Sequence, residues 1–553
     1  MSVSARHDGG HDTPVPHVRM RASRAGGGQE AMSTTTWKLS DLFDRAGATT
    51  IDGAVVPPVQ ITSLTDDSRQ VARGSCFVAV PGSVNDGASF IDAALAAGAA
   101  AIVVGPGVSA AGAVAVVRVA DPREALAKLA AAYYGLRGGD AIPPKLIGVT
   151  GTNGKTTVTW LLRAILQAAG QKAALLGTVE YDLVGERCSA PLTTPGAMAL
   201  CRHLAAARDA GASHAVFEVS SHALDQRRCD GLTFAAGVFT NITGDHLDYH
   251  KTMGAYASAK RRLFEMLPHD AVAAINADDP LGASFADAST APVVTFGIDA
   301  VSSDVRADIV QMDGCGTQLV VHGRQNRYEL RTSLVGKHNV SNLLAAAATA
   351  EALGVAPHAI RDGLERVSGV PGRLQRVESD GSPFSVLVDY AHTDDALRNV
   401  LRAMRPITTG RLICVFGCGG DRDRTKRPRM AAAVGELADI AFVTSDNPRT
   451  EDANEIIRQI LPGFAGRPRC RVAVDADRRA AIFAAVVEAH PGDMILIAGK
   501  GHETYQLVGD RVLPFDDVSV ARAALSSLGA GFADAACAPP RSEAEMLKEE
   551  RVA

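Results

Sequence analysis

Leu146-Ile147-Gly148-Val149-Thr150-Gly151-Thr152-Asn153-Gly154-Lys155-Thr156-Thr157 sets the reading of the whole chain. An apolar run leads into it. Val158, Leu161, Leu162, Ile165 and Leu166 then recur at helical spacing until Gly170, a stop signal. Strand, glycine-rich turn and helix together make a phosphate-binding loop. The amides of Gly151, Thr152, Asn153 and Gly154 and the helix N-terminus face the anion, Lys155 supplies a point charge, and Thr156, followed by Thr157, offers a hydroxyl to Mg²⁺. The usual pattern separates its glycines by four residues, whereas five lie between Gly148 and Gly154. A plain glycine-rich turn shares this outline, but Gly-Lys-Thr-Thr in this setting favours a nucleoside triphosphate.

Residues 139–370 around this loop read as one α/β domain. Residues 215–219 run into Ser220-Ser221-His222, residues 237–240 into Asn241-Ile242-Thr243-Gly244-Asp245-His246, and residues 271–275 into Asn276-Ala277-Asp278-Asp279. Residues 343–353 form an Ala-rich helical pattern opened by Asn339 and Asn342. Residues 371–528 repeat the design. Residues 386–388 precede Asp389-Tyr390-Ala391-His392, and residues 412–416 precede Gly417-Cys418-Gly419-Gly420-Asp421-Arg422-Asp423. Residues 440–443 precede Asp446-Asn447-Pro448-Arg449, and residues 494–498 precede Gly499-Lys500-Gly501-His502-Glu503. Ligands of open α/β sheets bind outside the carboxyl ends of the strands, so these clusters are expected on one rim. Residues 34–138 alternate short apolar runs (75–80, 100–104, 113–119) with helical patterns such as 90–97, which predicts a smaller α/β domain. Its Asp67-Ser68-Arg69 and Asn85-Asp86-Gly87 read alone as turns. Residues 1–33 read as a disordered leader, with Met32 an alternative start, and 529–553 as a polar tail.

At 553 residues the chain exceeds one core. A net charge of −5 gives no footprint for nucleic acid. No apolar run approaches the ~20 residues of a membrane span. Nine cysteines, an odd number without a CxxC pair, point to reduced thiols in a cytoplasm and away from structural zinc. For Mg²⁺ on nucleotide phosphates, the candidates are Glu218 at a strand end and His246 in Asp245-His246-Leu247-Asp248. Lys260 reads by pattern alone as an ordinary helix lysine.

Taken in order, the 150–157 loop, Glu218-Val219-Ser220-Ser221-His222, Asp245-His246, Asn276-Ala277-Asp278-Asp279, Gly336-Lys337-His338-Asn339 through Asn342, Gly372-Arg373, Asp389-Tyr390-Ala391-His392 and Gly499-Lys500-Gly501-His502-Glu503 resemble the Mur ligases, over about residues 37–527. The resemblance implies a three-domain α/β architecture: a small N-terminal α/β domain, a central P-loop ATPase-like domain on a parallel sheet, and a Rossmann-like C-terminal domain. It implies ATP-dependent activation of a carboxylate as an acyl phosphate, followed by attack of an amine. Thr156, Glu218 and His246 would hold Mg²⁺, two ions in all. Lys260 would be a CO₂-derived carbamate, a reversal of its reading from pattern. Lys155, Lys260, Glu218 and His246 would be catalytic. Asn276, Asp279, His338, Asn339, Arg373, Asp389 and His392 would surround ATP.

The stretches Asp67-Ser68-Arg69, Thr193-Thr194-Pro195, Ser220-Ser221-His222 with Gln226 and Arg228, and Asp446-Asn447-Pro448-Arg449 most resemble family members that add diaminopimelate. The UDP-muramoyl dipeptide would then meet Asp66, Ser68, Thr193, Thr194, Ser220, Gln226 and Arg228. Diaminopimelate would meet Arg422, Asp446, Asn447, Pro448, Arg449, Gly499 and Glu503, with Arg449 on the distal carboxylate, Asp446 and Glu503 on the distal ammonium and Arg422 on the other carboxylate. Asn-Pro-Arg alone is also a simple turn. A lysine-adding relative and a folylpolyglutamate synthase-like ligase share the ATP site. Asp394 stands where the family usually has proline, and either residue suits a helix start. The resemblance further implies a cytoplasmic monomer whose third domain closes on its substrates.

Overall fold

A computed structural model describes residues 36–82, 86–110, 114–138, 144–378, 382–467 and 469–528. The leader, the tail, Met32 and Asn85 lie outside the described residues. Among the described residues three large sheets, beside two of two strands each, carry the fold. The N-terminal sheet pairs Ser63–Thr65, Ser75–Val78, Ala101–Val104 and Ala115–Arg118 in parallel.

The central sheet has eleven strands among the described residues. Its parallel heart is β1 (Lys145–Thr150), β2 (His214–Glu218), β3 (Phe234–Phe239) and β4 (Val272–Asn276), with β2 and β3 flanking β1. β1 feeds α1 (Lys155–Ala168), whose Val158, Leu161, Leu162, Ile165 and Leu166 are all buried, as the helical spacing predicts. Gly170, at φ +76°, follows the helix end. α2 (Met253–Glu265) carries Lys260, and α3 (Lys337–Ala352) buries Ala345 to Ala348 against the sheet. Small side chains let α3 sit close behind the loop. One extension has no counterpart in the sequence reading: Val305–Asp313 joins the sheet parallel to Val293–Gly297, and Gly316–His322 and Arg327–Thr332 continue it antiparallel. Their solvent-facing residues dilute the apolar runs by which the parallel strands are recognised.

The C-terminal sheet is parallel apart from the edge strand Gln375–Arg376. It places β5 (Ser385–Asp389) beside a strand from the chain's end, then β6 (Leu412–Phe416) and β7 (Ile440–Val443). α4 (Arg478–Glu488) precedes that strand, β8 (Met494–Ala498), and α5 (Asp517–Ser527) closes the domain. The order β5-β8-β6-β7 puts all four polar strand ends on one rim, as expected. Asp394 opens a helix, Asp394–Met404, with Thr393 as its cap. Proline is therefore not needed there.

The domains are bound to one another. Arg227 pairs with Asp121 and Glu124 of the N-terminal domain at 2.8 Å each. The C-terminal domain reaches the central one through Arg376 Nη1 to the Cys315 carbonyl, 3.2 Å, and Arg373 Nη2 to Thr156 Oγ1, 3.2 Å. Among the described residues seven cysteines are free thiols, all buried or half-buried, whereas Cys315 is disulfide-bonded, against the expectation of reduced thiols throughout. Cys315 lies exposed between two hairpin strands. Among the described residues no helix is long and apolar enough to cross a membrane.

Candidate active site

The phosphate loop is laced to the end of β3. Thr240 Oγ1 donates to the Asn153 carbonyl at 2.6 Å, Asn241 Oδ1 accepts from Asn153 N–H at 3.0 Å, and Thr152 N–H donates to the Asn241 carbonyl at 2.7 Å. Gly151 and Gly154 have φ +143° and +89°. A Cβ on Gly151 would lie 1.9 Å from Thr240 Oγ1, and one on Gly154 2.3 Å from Asn342 Oδ1. Both positions therefore require glycine for conformation and for space. Lys155 Nζ folds back onto the carbonyls of Gly151 and Thr152, at 3.0 and 2.8 Å. Burial lowers its pKa, and the Glu218 charge opposes that shift. Thr156 and Thr157 are buried in the first turn of α1.

Glu218 ends β2 fully buried; its Oε1 accepts Thr178 N–H at 2.7 Å and its Oε2 accepts Thr178 Oγ1 at 3.1 Å. Lys260 is 1% exposed and donates from Nζ to the Gly151 carbonyl at 2.7 Å. Burial, reinforced by the neighbouring Lys155, lowers its pKa well below that of a free lysine. The helix lysine thus points inward, under the phosphate loop. His246 has φ +52° and stands 3.5 Å from Asp245 Oδ2; burial lowers its pKa too. Among the described residues no three His, Cys, Asp or Glu form a metal cage. An ion held mainly by phosphate and water, as Mg²⁺ is, needs none.

Several residues expected around ATP bond the backbone. Asn276 donates to the Thr240 carbonyl at 2.6 Å, Asp279 accepts the N–H of Ile242 at 2.8 Å and of Leu281 at 2.9 Å, and Asn339 donates to the Val335 carbonyl at 2.8 Å. Asp389 accepts the N–H of Leu374 at 2.7 Å and of Ala391 at 2.8 Å, and burial raises its pKa. They shape the walls of the cleft. His338 and His392 are solvent-accessible at its edge, and Arg373 enters it to reach Thr156.

A second cluster adjoins Glu218. Thr194 Oγ1 lies 2.8 Å from the Glu218 carbonyl and accepts Ser220 N–H at 3.0 Å. Arg228 donates to the Thr194 carbonyl at 2.7 Å and to Gln226 Oε1 at 2.7 Å, while Thr193 and Thr178 hydroxyls meet at 3.1 Å. Five of the seven residues expected at the UDP-substrate thus stand together. Asp66 lines a cavity of about 200 Å³ with Thr65, Gln70, Tyr134, Gly196 and Arg202. Ser68 opens a short turn capped by Asp67, whose carboxylate is taken up by Arg69 and Gln70.

The third cluster lies on the C-terminal rim. Glu503 Oε2 accepts from Asn447 Nδ2 at 2.8 Å and from the buried Lys500 Nζ at 3.1 Å. Asn447 Oδ1 takes Leu507 N–H at 3.0 Å, and Gln506 Nε2 donates to the Asp446 carbonyl at 2.7 Å. Gly499, at φ +114°, lies so close that a Cβ would be 2.5 Å from Asp446 Oδ2. Pro448 leads into Arg449, which has φ +53° and donates from Nη1 to the Gly420 carbonyl at 2.8 Å. That contact joins the 417–423 loop, with the exposed Arg422, to the 446–449 turn. Thr178 and Gln506 have no counterpart in the sequence reading because single polar residues near strand ends carry no spacing signal.

Three family models match the chain: "Mur ligase family, catalytic domain" at residues 60–134, "Mur ligase middle domain" at 149–350, and "Mur ligase, glutamate ligase domain" at 372–501. A UDP-N-acetylmuramoyl-L-alanyl-D-glutamate–2,6-diaminopimelate ligase of Geobacter metallireducens is 46% identical over 498 residues, covering 86% of this chain and 96% of the relative. The ligase of that name from Streptomyces coelicolor is 42% identical, covering 88% and 96%. A solved structure with the same description is 34% identical with a TM-score of 0.66, covering 88% of this chain and 99% of that one.

Proposed function

Because the chain belongs to the Mur ligases, a family of ATP-dependent, ADP-forming amide ligases, we propose that it joins 2,6-diaminopimelate to UDP-N-acetylmuramoyl-L-alanyl-D-glutamate in building peptidoglycan. The observation that carries the substrate reading is the rim cluster in which Arg449 and Glu503 stand on adjoining loops. A two-headed amino acid presents both a carboxylate and an ammonium at its far end, and this pair matches them. Lysine has no distal carboxylate for Arg449.

The residues divide the reaction between domains. Arg228, Thr194 and Ser220 orient the dipeptide beside Glu218. Loop amides and Lys155 stabilise charge on the phosphoryl group as it passes from ATP to the substrate carboxylate. The incoming amine, held by the C-terminal rim, then displaces phosphate from the acyl phosphate. Thr156, Glu218, His246 and a carbamate on Lys260 would hold Mg²⁺, which supplies charge neutralisation on the phosphates. The buried, charge-disfavoured Lys260 amine is the form that takes up CO₂, which supports its carbamylation. Every group named comes from one chain, so a monomer suffices, and all substrates are soluble in a cytoplasm.

Phosphate release measured with ATP, UDP-muramoyl dipeptide and either diaminopimelate or lysine tests this. Turnover should require diaminopimelate. Equal turnover with lysine would overturn the specificity, and no ATP consumption at all would overturn the ligase reading.

A further inference from the structure

β7 and β8, which carry the 446–449 turn and the 499–503 turn, are not neighbours; β6 lies between them. No ladder joins the two strand ends directly: their register passes through β6, and farther out a backbone bridge pairs Arg449 with Val508. Beneath the rim, one side chain spans the gap. Arg478, the first residue of α4, is fully buried and donates from Nη2 to the Ala498 carbonyl at 2.9 Å and from Nη1 to the Ser445 carbonyl at 3.4 Å. Ser445 and Ala498 immediately precede Asp446 and Gly499. The guanidinium is held in turn by Asp517, the first residue of α5, with Nε to Oδ1 at 2.8 Å and Nη2 to Oδ2 at 2.6 Å. Both members of this ion pair are 0% exposed.

We propose that Arg478 is a positioning residue for the amino-acid substrate, setting the distance between the Asp446–Asn447–Arg449 loop and the Gly499–Glu503 loop by bridging their strand ends. Stability alone is a poor reason for such a pair. Burying two charges costs about as much as their attraction returns, and apolar pairs of similar volume often fold as well. What an apolar pair cannot supply is a rigid planar fork with donors for a carboxylate and two carbonyls at once. Above the bridge, Lys500 to Asn447 and Gln506 to Asp446 complete the frame, and each presumes that the strand ends are already in register. The positive charge also acts on Asp446 and Glu503 from below. The 446–449 and 499–503 loops then form one receptor for a molecule with two amino-acid heads.

The inference rests on the proposed function. Wild-type turnover with diaminopimelate judges that function, and the ratio of variant to wild type judges Arg478. The test uses the full chain with Arg478→Met and Asp517→Leu combined, which keeps the volume apolar. A cooperative melt close to wild type establishes the fold. The KM for diaminopimelate should rise about tenfold or more, the effect of losing one charge-assisted bond's alignment, while the KM values for ATP and UDP-dipeptide stay within about twofold. If the double variant does not fold, Arg478→Lys, which keeps the charge but not the fork, is scored by the same ratio. An unchanged diaminopimelate KM in the folded variant, or equal losses for all three substrates, would overturn the proposal.

Discussion

Replacing Arg449 by alanine probes the substrate choice at one side chain. A guanidinium has five N–H donors, and Nη1 directs one of them to the Gly420 carbonyl. The others are free to grip a distal carboxylate. Each charge-assisted hydrogen bond is worth about 1.5–3 kcal/mol. The side chain is half-buried, so solvent screening places the total for a bidentate grip near the value of a single such bond. That corresponds to a rise of roughly 10- to 150-fold in the KM for diaminopimelate. The loop should survive the change. Its backbone bonds, Arg449 N–H to the Leu507 carbonyl at 3.0 Å and Gly509 N–H to the Arg449 carbonyl at 2.7 Å, do not involve the side chain. The cost of φ +53° is shared by alanine. Steady-state phosphate release, with diaminopimelate varied at saturating ATP and UDP-dipeptide, reads the effect, and Arg449→Lys should recover part of it. A diaminopimelate KM within twofold of wild type would show that Arg449 does not touch the substrate.

Other outcomes follow from the central domain. Gly151→Ala places a Cβ 1.9 Å from Thr240 Oγ1 and should abolish ADP binding in calorimetry while leaving the sheet folded; retained affinity would refute the tight fit of the loop. Lys260→Ala should abolish turnover without rescue by bicarbonate, and wild type in ¹³C-bicarbonate should show a carbamate resonance. Because burial lowers the Lys260 pKa, the carbamate should persist at neutral pH and be lost as acid protonates the amine; no resonance at any pH would remove the carbamate. Small-angle scattering should show contraction with ATP analogue and dipeptide, as Arg373 shifts from Thr156 to phosphate; superimposable profiles would count against closure.

Much of this protein is legible in its sequence. The phosphate loop, the strands that end in polar clusters and the helix after Lys155 follow from local periodicity and turn chemistry, which are properties of neighbouring residues. Even Asp394 was readable as a helix start, since a first-turn acid needs only the local amides and dipole. The burial of Lys260 was not, although Tyr256, Ala257, Leu263 and Phe264 stand at helical spacing from it, because a long lysine stem on an apolar face ordinarily carries its ammonium out to water. Nor was the backbone work of Asn276, Asp279 and Asp389, whose amides and carboxylates are equally suited to a ligand. Residue order alone carries the chemistry of the chain: a loop for phosphate, acids at strand ends, and a guanidinium within an Asn-Pro-Arg turn. Packing of the folded chain is what brings Arg373 to Thr156 across 217 positions and sets Arg478 between two strands that are not neighbours. Such pairings depend on the order of strands in a sheet, and strand order is set by packing between distant segments.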